Sequence, residues 1–252
     1  MAEYEFSLPL LQAVNDWQLG GDEKTARKRG LALRDACESL PPEFKAVPSV
    51  CFRQIALGKR SVWDLLGEMS LAEKISSWTL DLTLAKDFKG GVPPEGQGFQ
   101  GVIFERAAAS GEVVVNLWAL YRDARFQEAI DRHKGSISRY HAGIGRYGNT
   151  QSEVVLRIDA LDEDDIHSLG GHSSSFDELV GKAAFTIYGG LPTASQVAEL
   201  KAQVRELAPV AGARWLERDS THRVLARIRP RASELREIQR HQKQNSAGGQ
   251  GA

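Results

Sequence analysis

Three short stretches carry side chains whose types and surroundings suit chemistry. Arg53 closes the apolar run Val50-Cys51-Phe52, and Ser77-Trp78-Thr79 lies within the hydroxyl-rich run starting at Ile75. Gln151-Ser152-Glu153 opens the apolar run Val154-Val155-Leu156-Arg157-Ile158. A carboxylate at the start of a strand sits at the rim of a sheet, where clefts form. An arginine is a permanent cation with a planar fork of donors, suited to an anion. Each stretch alone fixes few residues, and a charged strand end is most often just a solvated one.

Other motifs are weaker. The loop from Lys89 to Gly98 is rich in glycine, but no Lys-Ser or Lys-Thr follows it, so it is not a Walker phosphate loop. It also lacks the strand–GxGxxG–helix setting of a dinucleotide fold. The histidines show no metal-ligand spacing, His167 and His172 included, and no metal is expected. Gly171-His172-Ser173-Ser174-Ser175 lacks the Gly-x-Ser-x-Gly flanks of a nucleophile elbow.

The elements that must position these residues follow from periodicity and caps. Leu8 to Trp17 reads as a helix ended by Gly20-Gly21. Asp22 caps a second helix with Ala26, Leu33, Cys37 and Leu40 on one face, stopped by Pro41-Pro42. These two helices read as a brace on a core, not as part of a site. Ser61 and Asp64 form a capping-box pattern for a helix carrying Trp63, Leu65, Leu66 and Met69. Strands are expected at 50–53, 75–79, 101–105, 112–117, 153–158, 184–188 and 222–228. Helices are expected at 82–88, 125–133 and after Thr193 or Ser195, where Val197, Leu200, Val204 and Leu207 share a face. Gly135 to Thr150 reads as a long loop, and Asp162 to Asp165 as the cap of a turn or helix. Short strands in the middle with helices at the front point to an α+β fold.

Composition sets the bounds. With 252 residues, 42% hydrophobic and 26% charged, the chain is ordinary for a globular protein of one large or two small domains. A net charge of −1 gives no global pull toward nucleic acid or membrane. The start Met1-Ala-Glu-Tyr-Glu-Phe lacks the order of a signal peptide, and no apolar run is long enough to span a bilayer. The cytoplasm is the expected compartment, with delivery into a target cell without a cleaved signal left open. Cys37 and Cys51 cannot make a disulfide framework and read as buried thiols. Arg214 to Lys243 holds nine Lys/Arg against four Asp/Glu, either a nucleic-acid footprint or a solvated amphipathic end. Ser246 to Ala252 reads as a disordered tail.

The order arginine, then Ser-Trp-Thr, then Gln-x-Glu resembles the R-S-E class of mono-ADP-ribosyltransferases, in its Gln-x-Glu variant. Val50-Cys51-Phe52-Arg53 looks like that family's apolar-apolar-aromatic-Arg strand, and Ser77-Trp78-Thr79 like its Ser-Thr-Ser. Ala85 and Phe88 stand where its next helix has Ala and an aromatic, and Gln151 to Leu156 is similar to its Gln-x-Glu-Val-x-Leu strand. The resemblance covers roughly Leu31 to Ile158. Gln54 stands where the family has Gly, and Trp78 and Thr79 vary its Ser-Thr-Ser.

The resemblance implies a split β-sandwich core over 47–188. A helical brace at 1–46 precedes it, and a helical, basic segment at 189–243 and a tail at 244–252 follow. It implies NAD as substrate, with the bond to nicotinamide broken. Arg53 would hold a pyrophosphate oxygen, the backbone of Gln54 the nicotinamide amide, and Phe88 (or Phe99) would stack on the ring. Ser77 would hold Glu153, Thr79 would support the strand, and Glu153 would grip the ribose and steady its oxocarbenium-like charge. Tyr140, Tyr147 and Gln151 are the candidates for acceptor recognition. An amide at Gln151 suits a neutral acceptor, a side-chain amide or a nucleobase amino group, over arginine. A macromolecular acceptor is implied as partner, and a toxin or effector role would bring an immunity or antitoxin protein. An NAD glycohydrolase and a catalytically degenerate binding module are the alternative readings.

Overall fold

The computed structural model describes residues 4–66, 71–72, 74–94, 96–211 and 214–230. In chain order its elements begin with α1 (Leu8–Gln18), α2 (Glu23–Ala36), β1 (Cys51–Gly58), α3 (Lys59–Leu66), β2 (Leu71–Ala72), β3 (Ile75–Thr79) and α4 (Leu82–Asp87). There follow β4 (Phe99–Arg106), β5 (Val113–Asn116), α5 (Leu117–Arg122), α6 (Ala124–His133), α7 (Ile144–Tyr147), β6 (Glu153–Arg157) and β7 (Ala160–Leu161). The chain continues through β8 (Ile166–Gly171), α8 (Phe176–Tyr188) and α9 (Ala194–Ala211), and a last helix covers 218–230. The mixture of antiparallel strands and helices is that of the expected α+β class.

The chain forms two compact units. The first is drawn from Met1–Arg53, Ala72–Ala85 and Glu105–Leu161, the second from Gln54–Leu71, Lys86–Phe104 and Asp162–Ala252. In the first, β3 lies antiparallel between β6 and the start of β1, and β5 pairs antiparallel with the other side of β6. Thr79 stands opposite both Glu153 and Phe52, so all three motif stretches meet at neighbouring strands. Valines at 113–115 and 154–155 bury themselves in the sheet, as β-branched residues on a packed pleat do.

One apolar core holds this unit. It joins Leu10, Leu11 and Val14 of α1, Leu33 of α2, Leu117 and Leu120 of α5, Phe126 of α6, and Val115 and Val155 of the sheet. Phe6 sits edge-on to Phe44 and Phe126, with centroids 5.5 Å and 5.2 Å away. Asp22 accepts from the Thr25 amide, the cap expected for α2. Gly30 lets α2 lie close on the sheet: a Cβ there would stand 3.0 Å from Ile75 and 3.2 Å from the Trp17 ring. Cys37 and Cys51 are buried free thiols, pushed up to about 12 by burial.

In the second unit, β8 pairs antiparallel with β4 from Gln100↔Gly171 to Phe104↔Ile166. Trp215 lies across the glycines of that pair, 2.7 Å from a Cβ built at Gly101 and 2.8 Å from one at Gly170. Its indole N–H donates to the Lys86 carbonyl at 2.8 Å. Val180 and Ala184 of α8 pack on Leu200 of α9.

Several elements differ from the sequence expectation. β1 runs on to Gly58, so Arg53 stands inside the strand and does not close it. α3 starts at Lys59, ahead of the expected cap at Ser61, and Met69 lies outside the described residues. The expected strand at 184–188 is the end of α8. Ser175 caps that helix at the Glu178 amide, and Val180 and Ala184 face α9 with a helical period. The expected strand at 222–228 is helical. Buried Thr221 and Leu225 recur four residues apart, and the intervening alternation was incidental. The expected long loop at 135–150 contains a turn of 3₁₀ helix, Tyr140–Ala142, and α7. α5, capped by Asn116 at the Ala119 amide, and the buried strand β8 were not anticipated. The cap at Asp162 is a capping box, as expected for a turn or helix. The expected polar helix beyond Ser233 and the tail fall outside the described residues.

Candidate functional site

The first unit brings Arg53, Ser77 and Glu153 into one hydrogen-bonded chain. Arg53 Nη1 donates to the Ser77 carbonyl at 2.9 Å. Ser77 Oγ donates to Glu153 Oε1 at 2.6 Å, short as charge-assisted bonds are. The register explains the reach: Ser77 and Thr79 of β3 point to the same face as Glu153 and Val155 of β6. Thr79 Oγ1 donates to the Gln151 carbonyl at 2.8 Å and accepts from the Asp81 amide at 3.1 Å. It therefore ties down the chain just ahead of Glu153.

The backbone there is unusual. Ser152 has φ 43°, in the left-handed region that only glycine enters cheaply. Its carbonyl accepts from the Leu80 amide at 3.0 Å. This turn swings the chain from the loop into β6 and aims Glu153 at Ser77. Strained backbone of this kind collects where a side chain must be placed exactly.

Glu153 is 6% exposed. A second donor holds it: Trp17 Nε1 donates to the same Oε1 at 2.8 Å. Burial pushes the carboxyl pKa up, against the pull of hydrogen bonds from Ser77, Trp17 and Gln18. Gln18 in turn accepts from the Tyr121 hydroxyl at 2.8 Å and donates to the Gly148 carbonyl at 3.3 Å. Burial, and then the neighbouring Glu153 charge, push the Tyr121 hydroxyl pKa up. Trp17, Gln18 and Tyr121 were missed in the sequence, where α1 reads as a brace. The one available signal was a tryptophan at the end of an amphipathic helix, just before Gly20-Gly21.

The loop ahead of Gln151 is pinned rather than loose. Asn15, fully buried, donates to the Ser138 carbonyl at 2.9 Å and accepts from the Ile144 amide at 3.0 Å. Tyr140 is half-buried against the main core and edge-on to His141 at 5.3 Å. Tyr147 is half-buried, with the Arg146 guanidinium 5.2 Å from its ring. Gln151 is half-buried, and its side-chain amide makes no hydrogen bond among the described residues.

Gln54 and Phe88 belong to the second unit. Gln54 Nε2 donates to the Gly91 carbonyl of the glycine-rich loop at 2.6 Å. Phe88 and Phe99 are both exposed, not core, and Lys89 lies 5.9 Å from the Phe88 ring. His167 is buried with Nδ1 2.7 Å from Ser168 Oγ. Among the described residues no cluster of His, Cys, Asp or Glu could hold a metal ion, and no helix is long and apolar enough to cross a membrane.

Beside Arg53, within the first unit, opens a cavity of ≈ 500 Å³. Arg53 lines it together with Arg27, Arg34, Lys74 and Arg157. No protein family, no curated protein and no solved structure matches the chain. The reading of the site rests on its residues.

Proposed function

We propose that the protein is an NAD-dependent mono-ADP-ribosyltransferase with an ADP-ribosyltransferase-like split β-sandwich core. The observation that carries this reading is the chain Arg53–Ser77–Glu153, closed by bonds of 2.9 Å and 2.6 Å. The meeting of these residues, distant in sequence, supports the reading. The Arg53 guanidinium faces a basic cavity and suits a pyrophosphate oxygen. In the reaction, the bond from ribose C1′ to the nicotinamide nitrogen breaks and its electron pair leaves with nicotinamide. The ribose is left cationic beside the Glu153 carboxylate, a fixed anion where positive charge develops. An acceptor lone pair then closes on C1′, and the acceptor loses a proton. Gln151 has an amide to offer that acceptor, which favours a neutral group over a guanidinium.

Glu153 must be reached for this to happen, and the Trp17 indole covers it. Catalysis therefore requires the indole to swing off the carboxylate. That same cover favours a second reading, in which Glu153 is structural and the fold is a binding module without turnover.

Labelled NAD incubated with a cell lysate separates the two. The wild-type protein should transfer label to a macromolecule, and Glu153→Gln should lower transfer by about 10²–10³-fold, as loss of one preorganised electrostatic group does elsewhere. Equal labelling by both proteins sinks the mechanism. Nicotinamide release without transfer marks a glycohydrolase, and no release at all marks the binding module. Nuclease or protease treatment of the labelled product identifies the acceptor class.

A further inference from the structure

We infer that the basic cavity of the first unit binds the phosphodiester backbone of a nucleic-acid strand. Its cations come from separate elements: Arg27 and Arg34 from α2, Arg53 from β1, Lys74 from just before β3, and Arg157 from the end of β6. Among the described residues of the lining, two carboxylates, Glu23 and Asp159, offset part of that charge and leave an excess of three (five cations less two anions). The whole chain has a net charge of −1, so this excess is a local feature and not a reflection of composition.

The remaining wall decides the ligand. The other lining side chains, Ala26, Leu31 and Ile75, are aliphatic. Among the described residues, the lining has no aromatic ring to stack a base and no hydroxyl or amide side chain to read one. A lining that selects a particular base needs such groups. A site offering an excess of cations on an aliphatic floor recognises repeated phosphates and ignores sequence. Arg27, Lys74 and Arg157 are exposed, whereas Arg34 and Arg53 are half-buried. The exposed three, from α2, the segment before β3 and the end of β6, are within reach of a strand in solution. This inference does not depend on the transferase reading, because a strand can bind whether or not NAD is split.

The test uses the full-length protein and fluorescence anisotropy of a labelled, mixed-sequence single-stranded RNA or DNA oligonucleotide. With three phosphates engaged, affinity should fall about 20-fold between roughly 50 and 200 mM salt, a log–log slope near −2. The double variant Arg27→Gln/Arg157→Gln should reduce the magnitude of that slope by about 1.4. Arg132→Gln/Lys134→Gln, exposed in the same unit but away from the cavity, should leave it unchanged. These four side chains play no part in the proposed NAD chemistry, so failure here and failure of NAD cleavage are distinguishable. Absence of oligonucleotide binding overturns the inference. So does an unchanged slope in the first double variant, which would place binding elsewhere, such as on the basic 214–243 segment.

Discussion

Replacing Trp17 with phenylalanine removes the indole N–H from Glu153 and leaves a six-membered ring to pack. The bond it deletes is 2.8 Å long and ends on a carboxylate that is 6% exposed. Hydrogen bonds to charged groups contribute about 1.5–3 kcal/mol, against roughly 1 kcal/mol for neutral ones. Trp17 also packs on the core, so the raw cost mixes lost packing with the lost bond. A double-mutant cycle with Glu153→Gln cancels the packing part. The difference between charge-assisted and neutral bonding predicts a coupling of about 0.5–2 kcal/mol. Urea unfolding of wild type, both single variants and the double variant at mildly alkaline pH measures it. In acid, where the carboxyl is protonated, the coupling should shrink toward zero. A coupling indistinguishable from zero in alkali refutes the claim that Trp17 holds the Glu153 charge.

Further outcomes follow from neighbouring geometry. Burial raises the Glu153 pKa above 4.5, so the folded protein holds that proton more tightly than the unfolded chain. This contribution to stability is complete below the unfolded value and is lost as pH rises through the raised folded value. Glu153→Gln should therefore gain on wild type as pH rises through that window. Urea unfolding across pH checks it, and a deficit growing with pH contradicts it. At Ser152, with φ 43°, glycine should relieve left-handed strain and keep or raise stability by up to about 1 kcal/mol, whereas β-branched valine should lower it by about 1 kcal/mol, readable from thermal unfolding. At Gly143, an added Cβ would stand 2.4 Å from Asn15 Oδ1 and 2.6 Å from its carbonyl. Gly143→Ala should cost about 1–3 kcal/mol by overpacking, and an unchanged unfolding midpoint would show that α1 and this loop separate easily.

The first unit was the more legible half. β3 and the start of β6 fall where hydroxyl-rich and β-branched runs placed them, and α1 and α2 where glycine and Asp22 marked their ends. Local signals sufficed there because propensity, caps and burial agree. They conflicted in the second unit. Phe185-Thr186-Ile187-Tyr188 is a strand by composition, yet Ser175 caps a helix that runs through it, with Gly189 turning left-handed at its end. β8 reads Ile-His-Ser-Leu-Gly-Gly, and its glycines look like a loop. Gly170 admits Trp215, a residue far along the chain, and Gly171 has φ 73° and lies against Val92 and Pro93. The partnership of Ser77 with Glu153 is implied by the family resemblance that the three stretches carry. The covering of Glu153 by Trp17 is not, because a hydrogen bond between side chains 136 residues apart leaves no local trace.

That separation also sets a timetable. A chain made from its amino end exposes α1 early, and the strand carrying Glu153 emerges only after 136 further residues. Until then Trp17 has no carboxylate to hold, and the face of α2 that meets Ile75 has no sheet beneath it. Closing this contact brings together residues far apart in sequence, which carries a larger closure entropy than a local contact does. A nascent or prematurely ended chain lacking β6 has no assembled carboxylate site. The Glu153 carboxylate is therefore held by Trp17 only once β6 has been made.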